Sequence, residues 1–187
     1  MVAQEGVFFD VGANVGFVAV YLKLRAPKVD VWCFEPTYAN FDLLRENAKI
    51  NGIGLNALPI ALASAPSVAA IEDPEELGGI ALSIDEDLGA RAQNTHPTMV
   101  DSLDSLIEKG LPQPDYLKID VDGIELEILR GATKTLSGVR EVAIEYDVDE
   151  KQEIIALLDA LGFDVSGDEV EDRMLFLKNR NLGQATS

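Results

Sequence analysis

The sequence predicts an α/β protein with a mostly parallel seven-stranded sheet, a terminal antiparallel hairpin and helices on both faces of the sheet. Short apolar runs alternate with longer segments of helical period, which is the pattern of βα units. A glycine-containing loop follows the first apolar run, where a strand should pass into a helix. The last two predicted strands have a short connection, so they must run antiparallel. No repeat or linker divides the 187 residues, which we interpret as one domain over 1–187.

Each strand is predicted from a short apolar run, and each helix from apolar spacing near 3.6 residues. The predicted strands are Val7 to Val11, Val29 to Phe34, Leu55 to Leu62, Tyr116 to Asp120, Val142 to Tyr146, Phe163 to Ser166 and Met174 to Leu177. The predicted helices are Val15 to Arg25, Asn40 to Asn51, Asp101 to Glu108, Ile124 to Leu136 and Glu150 to Leu161. Gly52, Gly138 and Gly162 follow three of these helices and act as stop signals.

The periodicity breaks down between residues 64 and 100, which we interpret as a variable loop region. Val68 to Ile71 is a candidate short extra strand, and the remainder reads as a long loop. Loops longer than about 15 residues in compact domains are usually functional or disordered. A substrate-binding lid and a segment without fixed structure both remain open here.

The amino-acid composition disfavours two classes of binding partner. The net charge of −18 disfavours nucleic acid and anionic membranes, because binding to them depends on Lys and Arg. Neither a membrane-spanning apolar run nor a secretory signal is present, so we expect a cytoplasmic protein. The single cysteine, Cys33, lies in an apolar run and is expected to pack as a small core residue.

The loop from Asp10 to Gly16 is the first candidate for a binding site. Gly12 and Gly16 permit a tight turn and a close backbone approach to a ligand. The dinucleotide fingerprint is not matched, because Asn14 replaces its middle glycine and an acid precedes the loop. A carboxylate beside the loop suits a cationic cofactor better than a pyrophosphate.

Glu35 supplies a second part of this candidate site. It stands at the end of the second predicted strand, 19 positions after Gly16, where an acid can accept hydrogen bonds from both ribose hydroxyls. Taken alone, an acid at a strand end is usually solvated. Together with the preceding loop, it favours a cofactor that contains adenosine.

Several motifs, in order, resemble the FkbM-type methyltransferases. They are Phe9 to Gly16, Phe34-Glu35-Pro36 with Asn40, Phe41 and Leu44, Ser102 to Leu106, Leu117 to Glu125, and Leu129 to Ala132. The resemblance implies a class I methyltransferase fold, the cofactor S-adenosyl-L-methionine, and O-methylation of a hydroxyl on a small-molecule acceptor such as a sugar or secondary metabolite. The terminal hairpin agrees with that fold class.

The resemblance also implies roles for individual residues. The loop residues Asp10, Gly12, Ala13, Asn14 and Gly16 would hold the methionine end of the cofactor, and Glu35 would hold the ribose. Backbone around Ala61 and Leu62, at the end of the third strand, would contact the adenine. The chain departs from the family in having almost nothing before its first strand, so we expect an N-terminal cap to be missing. It also has Asp122 where the family more often has Glu.

Asp120 is the candidate catalytic residue, because it ends an otherwise apolar strand at the edge where α/β sheets bind ligands. Methyl transfer from a sulfonium is an in-line displacement, and a positioned carboxylate can orient or deprotonate the attacking hydroxyl.

Other acids and bases near this strand have competing interpretations. Asp120, Asp122 and Glu125 could bind Mg²⁺ or Ca²⁺. We expect no metal site, and favour Asp122 and Glu125 as the N-terminal acids of the next helix. His96 is either a base or an exposed loop residue. Glu145 and Asp147 either line a pocket or face water. Lys118 either packs its stem at a sheet face or pairs with an acid, and receives no functional role.

Three functions remain in competition on the sequence alone. The favoured one is a small-molecule O-methyltransferase. A non-catalytic module that binds a cofactor or partner through the same fold is the alternative. An NAD-dependent oxidoreductase is disfavoured by Asn14 and by the terminal hairpin.

Overall fold

The computed structural model describes residues 4–72, 95–121, 123–165, 169–170 and 173–182. The strands are β1 (Gly6–Val11), β2 (Val29–Phe34), β3 (Asn56–Leu58), β4 (Ala61–Leu62), β5 (Ser67–Glu72), β6 (Thr95–Asp101), β7 (Tyr116–Ile119), β8 (Glu141–Glu145), β9 (Phe163–Asp164), β10 (Glu169–Val170) and β11 (Met174–Asn179). The helices are α1 (Phe17–Arg25), α2 (Tyr38–Ile50), α3 (Leu103–Glu108), α4 (Glu125–Arg130), α5 (Thr133–Leu136) and α6 (Lys151–Ala160), and a 3₁₀ turn covers Arg180–Leu182.

The main sheet has the order β10-β11-β8-β7-β1-β2-β3, and β9 also pairs with β11. Because β9 and β10 share one edge, the sheet has seven positions. The pairings from β3 through β8 are parallel, whereas β11 is antiparallel to β8, β9 and β10. The predicted parallel sheet with a terminal antiparallel hairpin is therefore confirmed.

Each face of the sheet is covered by its own set of helices, because strand residues alternate between the two faces. Phe9 and Val11 point into the larger core cluster, which contains residues of α3, α4, α5 and α6. Phe8 points the other way, into a smaller cluster with Val31 and Cys33 and with residues of α1 and α2. Helices on both faces are thus confirmed, and Cys33 is a buried core residue with 1% exposure.

The third strand is shorter than predicted. The sequence predicts one strand from Leu55 to Leu62, but β3 ends at Leu58 and Ala61–Leu62 joins a separate three-stranded sheet of order β4-β6-β5. Pro59 stands between the two segments. Proline has no N–H to donate to a ladder, so pairing stops at this point.

The predicted helix from Ile124 to Leu136 is two helices, α4 and α5, separated at Gly131. A Cβ on Gly131 would lie 2.2 Å from the carbonyl oxygen of Ala63, so the backbone here packs directly against another segment. The carboxylate of Asp104 then accepts hydrogen bonds from the N–H groups of Lys134 and Thr135 at the start of α5. This capping explains why a second helix begins.

The region from 64 to 100 contains more strand than the sequence indicated. The predicted strand at Val68 to Ile71 lies inside β5, and β6 pairs antiparallel with it from Thr95 onward. The rest of the predicted loop, 73–94, lies outside the described residues. None of the helices in the described ranges combines the length and apolar character needed to cross a bilayer.

Candidate functional site

The glycine loop connects the carboxyl end of β1 to α1, and its backbone is folded back on itself. Gly12, Asn14 and Gly16 all have positive φ, at 73°, 51° and 83°. A Cβ on Gly12 would lie 1.9 Å from the carbonyl oxygen of Asp120, so the loop touches the end of β7 directly. Ala13 is buried in the core under α1.

Every amide N–H from Gly12 to Gly16 has an acceptor within the protein. Gly12 and Ala13 both donate to the carbonyl of Phe34, and Gly16 donates to the carbonyl of Ala13. The Asn14 N–H donates to Glu35 at 2.8 Å, and the Val15 N–H donates to the side-chain oxygen of Asn14 at 2.7 Å. A phosphate site at a glycine loop needs backbone N–H groups that point at the ligand. These five amides are already committed, which argues against a pyrophosphate on this loop.

Glu35 lies directly beside the loop, at the end of β2, and is 5% exposed. Its Oε2 accepts the Asn14 N–H, and its Oε1 accepts the N–H and the hydroxyl of Thr37 at 3.0 and 2.5 Å. A carboxylate has about four acceptor positions. One position on Oε2 is therefore left for a ligand donor, and a second becomes available if the Thr37 hydroxyl rotates to another acceptor.

Asp10 and Asp120 are brought together by Lys118, which lies between them on the same face of the sheet. The Lys118 Nζ is 3.0 Å from Asp10 Oδ1 and 3.1 Å from Asp120 Oδ2. It also donates to the carbonyl oxygen of Gly12 at 3.3 Å. Asp10 is fully buried, Lys118 is 8% exposed, and the side chain of Asp120 is 31% exposed. Only Asp120 of the three therefore has substantial access to solvent.

The three charged side chains, together with their burial, shift one another's pKa values. Burial raises the pKa of Asp10, and the Lys118 ammonium offsets this only in part. Burial alone would lower the pKa of Lys118, but the two carboxylates outweigh it and raise that pKa. Burial would likewise raise the pKa of Asp120, but a hydrogen bond with Glu145 and the charge of Lys118 hold it below its usual value. Asp120 is therefore an ionised hydrogen-bond acceptor at neutral pH rather than a strong base.

Glu145 and Asp147 lie at the end of β8, next to Asp120. Glu145 is close enough to interact with the carboxylate of Asp120 and helps to hold the pKa of that carboxyl below its usual value. Arg173 lies 3.9 Å from Glu145 and 3.2 Å from Asp147, so both acids have a cation beside them. Asp147 is exposed, as the alternative that it faces water predicts, whereas Glu145 is only partly exposed.

Glu125 begins α4 and serves the backbone. Both of its carboxylate oxygens accept the Gly123 N–H, at 3.0 and 3.2 Å, and the residue is 1% exposed. This agrees with the interpretation of Glu125 as an N-terminal helix acid. Asp122 lies outside the described residues. Within the ranges that the structure describes, no three His, Cys, Asp or Glu side chains are grouped to hold a metal ion.

Two predicted residues lie on the small sheet rather than on the main one. The side chain of Ala61 is buried among Ala69, Ile71 and Val100, so only its backbone could face a ligand. The prediction that Ala61 ends the third strand is wrong, because Pro59 separates it from β3. His96 extends from β6 toward the end of β2. Its Nε2 lies 3.2 Å from the carbonyl oxygen of Pro36, and its ring stacks on Tyr38 with centroids 4.2 Å apart.

Sequence reasoning allowed Lys118 to pair with an acid but gave it no place in the site, and it missed the capping role of Asp104. Lys118 is the one cation in the apolar run of β7, and it is two residues from Asp120, which places both on one face. Its cross-strand partner in the register is Asp10. A lysine two residues before an acid in a central strand was therefore the available signal. Asp104 gave no comparable signal, because its partners on α5 are about 30 residues away.

Comparison with known proteins gives a consistent family. The family model described as the methyltransferase FkbM domain matches residues 10–165. The chain is 32% identical over 76% of its length to the hexuronic acid methyltransferase AglP of Haloferax volcanii, of which it covers 56%. It is 28% identical over 87% of its length to the 31-O-demethyl-FK506 methyltransferase FkbM of Streptomyces tacrolimicus, of which it covers 74%.

A solved structure supports the fold. The methyltransferase FkbM of Methylobacillus flagellatus KT aligns over 93% of this chain with a TM-score of 0.65 at 16% identity, and the chain spans 44% of that protein. The matched segment of the family model begins at Asp10 and includes the glycine loop, Glu35 and the Asp120 region. The protein therefore belongs to the FkbM methyltransferase domain family.

Proposed function

We propose that this protein is an S-adenosyl-L-methionine-dependent methyltransferase that methylates a hydroxyl of a small-molecule acceptor, such as a sugar or secondary metabolite. The observation that carries the proposal is the convergence of the glycine loop, Glu35 and Asp120 at the carboxyl ends of three adjacent strands, β1, β2 and β7. Open α/β sheets bind ligands at this edge. The names of the two relatives, a hexuronic acid methyltransferase and a 31-O-demethyl-FK506 methyltransferase, support an oxygen-rich acceptor.

The chemistry of the site fits this cofactor. With the five loop amides committed, the carboxylates of Glu35 and Asp120 are two charged groups of the described residues with acceptor positions left for a ligand. Carboxylates suit a ligand that carries hydroxyls, an ammonium and a sulfonium, and they repel a pyrophosphate. Glu35 would accept a hydrogen bond from a ribose hydroxyl, and the loop would pack against the methionine portion.

Asp120 would act on the acceptor. Bound S-adenosyl-L-methionine supplies an electrophilic methyl group on its sulfonium. Asp120 would accept a hydrogen bond from the acceptor hydroxyl and orient its oxygen toward the methyl group. When that oxygen took the methyl group and the sulfonium left as a neutral thioether, the Asp120 carboxylate would take the hydroxyl proton. A weakly basic carboxylate suffices, because the hydroxyl becomes acidic as its oxygen bonds to carbon.

Two variants test the proposal. Calorimetric titration with S-adenosylhomocysteine should show binding to the wild type and at least about tenfold weaker binding to Glu35→Gln, since about 1.4 kcal/mol is lost with a charged acceptor. Methyl transfer from labelled S-adenosyl-L-methionine to a panel of uronic acids and hydroxylated macrolides should fall about 100-fold or more in Asp120→Asn, with cofactor affinity retained.

The same measurements separate the alternatives. A wild type that binds NAD and not S-adenosylhomocysteine would overturn the cofactor assignment. Binding of S-adenosylhomocysteine with no transfer to any member of the panel would favour the non-catalytic module. Unchanged turnover in Asp120→Asn would remove Asp120 from the reaction.

A further inference from the structure

We propose that Lys118 is a positioning residue that ties the cofactor loop to the acceptor side of the site, so that Asp120 is held ionised and aimed at the acceptor. This inference rests on the proposed function and extends it to a residue outside the predicted site. It is carried by the three contacts of one buried ammonium group, to Asp10, Gly12 and Asp120.

The Lys118 ammonium makes two ion pairs, to Asp10 and Asp120, and one hydrogen bond, to the Gly12 carbonyl oxygen. Lys118 Nζ reaches a carboxylate at the end of β1, a loop carbonyl and the carboxylate of Asp120, at 3.0, 3.3 and 3.1 Å. Asp120 directly follows the strand of Lys118, whereas Asp10 lies on β1 and Gly12 in the loop after it. The lysine therefore fixes the distance between the loop and the end of β7, in addition to the direct backbone contact at Gly12.

An ion pair that served only to stabilise the fold would not need Lys118 to contact two carboxylates. Asp10 alone would neutralise the buried ammonium, and Asp120 is partly exposed and could turn to water. Instead, the Lys118 ammonium forms ion pairs with one buried carboxylate and one solvent-accessible carboxylate. Buried Asp10 thus fixes the position of Lys118, and Lys118 fixes the position of the partly exposed Asp120. The ion pairs form a chain from the core to the solvent-accessible edge of the sheet.

The electrostatic consequence follows from the groups that face Asp120. Among the described residues these are Asp10 on β1, Lys118 on β7, Glu145 on β8, and Arg173, which precedes β11 and reaches Glu145. Lys118 is the cation in direct contact. Without it, three carboxyl groups would share the site, and Asp120 would hold a proton to a higher pH.

The test compares Lys118→Met, Lys118→Arg and a matched control, Lys178→Met. Lys178 is on β11 with its side chain 79% exposed and its Nζ 3.8 Å from Glu141, so its loss removes an ion pair far less buried than that of Lys118. Lys118 also borders a groove of about 390 Å³ with Tyr21, Met174 and Phe176, which gives space for the larger arginine.

Carbon-13 NMR of the aspartate carboxyl groups, without cofactor or acceptor, is the primary readout. The titration midpoint of Asp120 should rise by about one pH unit or more in Lys118→Met, return toward the wild-type value in Lys118→Arg, and stay unchanged in Lys178→Met. The acid limb of the pH profile of turnover should move with it, and affinity for S-adenosylhomocysteine should fall about tenfold as the loop carbonyl loses its donor.

An Asp120 titration that is the same in Lys118→Met and the wild type would overturn the inference. If Lys118→Met does not fold, the double variant Asp10→Asn/Lys118→Met removes both members of the buried pair and carries the same expectation for Asp120. A wild type that neither binds S-adenosylhomocysteine nor transfers methyl groups would refute the proposed function, while the carboxyl titration would still decide the contact between Lys118 and Asp120.

Discussion

Replacement of Gly12 by alanine tests whether the loop must touch the end of β7. The new Cβ would lie 1.9 Å from the Asp120 carbonyl oxygen, whereas real Cβ atoms essentially never come within 3.0 Å of another heavy atom. The carbonyl or the loop must therefore move by about 1 Å, against the hydrogen bond from the Asp120 N–H to the Val11 carbonyl. The left-handed φ of 73° adds about 1–2 kcal/mol for any residue with a Cβ.

Gly52→Ala is the matched control. Gly52 follows α2 with a φ of 65°, and nothing lies within 4 Å of a Cβ there. It should cost only the conformational term, about 1–2 kcal/mol. Gly12→Ala should cost about 1–3 kcal/mol more, as overpacking does. At about 2–4 °C per kcal/mol for a chain of this size, that excess lowers Tm by about 2–12 °C.

Urea unfolding followed by circular dichroism measures both free energies, and thermal scans measure Tm. Titration with S-adenosylhomocysteine should show weaker binding only in Gly12→Ala, because only that change displaces the proposed cofactor loop. Equal destabilisation by the two substitutions would refute the argument that a close backbone approach requires glycine at position 12.

The structure gives three further expected outcomes, two for substitutions and one for chemical labelling of Cys33. Burial alone would raise the pKa of Asp104, but hydrogen bonds from Lys134 and Thr135 outweigh burial and lower that pKa. The ionised carboxylate therefore stabilises the fold fully above the unfolded pKa, near 3.9, and this stabilisation is lost as the pH falls through the folded pKa. Asp104→Asn should thus cost about 1–2 kcal/mol at pH 7 and progressively less below pH 4 in acid unfolding curves, whereas a pH-independent difference would contradict the cap. Burial raises the pKa of the Cys33 thiol, so iodoacetamide at pH 8 should label it far more slowly in the native protein than in urea, and equal rates would disprove its burial. Gly131→Ala should lower stability by about 1–3 kcal/mol because its Cβ would overlap the Ala63 carbonyl, and an unchanged Tm would refute that packing.

Much of the fold could be predicted because the information is local. β2 was predicted with the bounds that the structure has, and β1, β7 and β8 within one residue at either end, since each is a short apolar run between turn residues. The errors occurred where backbone contacts between distant segments intervene. Pro59 diverts the chain from the main sheet to the small one, and Gly131 breaks a helix against Ala63, neither of which helical or strand periodicity reveals.

In the candidate site, too, some residues could be predicted from local sequence and others depend on contacts between distant segments. Asp10 and Glu35 could be predicted from their places at strand ends and Asn14 from its place in the glycine loop, and the structure places the Asn14 N–H 2.8 Å from Glu35. The position of His96 beside Pro36 could not, because 60 residues separate the two along the chain and their contact depends on how the small sheet meets the main one.

The sequence by itself determined the order of strands and helices, the place of the glycine loop, and the acids that end β2 and β7, because spacing along one segment encodes which residues form an element and where it stops. Only the tertiary structure decided that Lys118 joins Asp10 to Asp120 and that all five loop amides are satisfied internally. The register of β1 against β7 joins segments more than 100 residues apart, and such pairing is fixed by the packing of the whole sheet rather than by any local pattern.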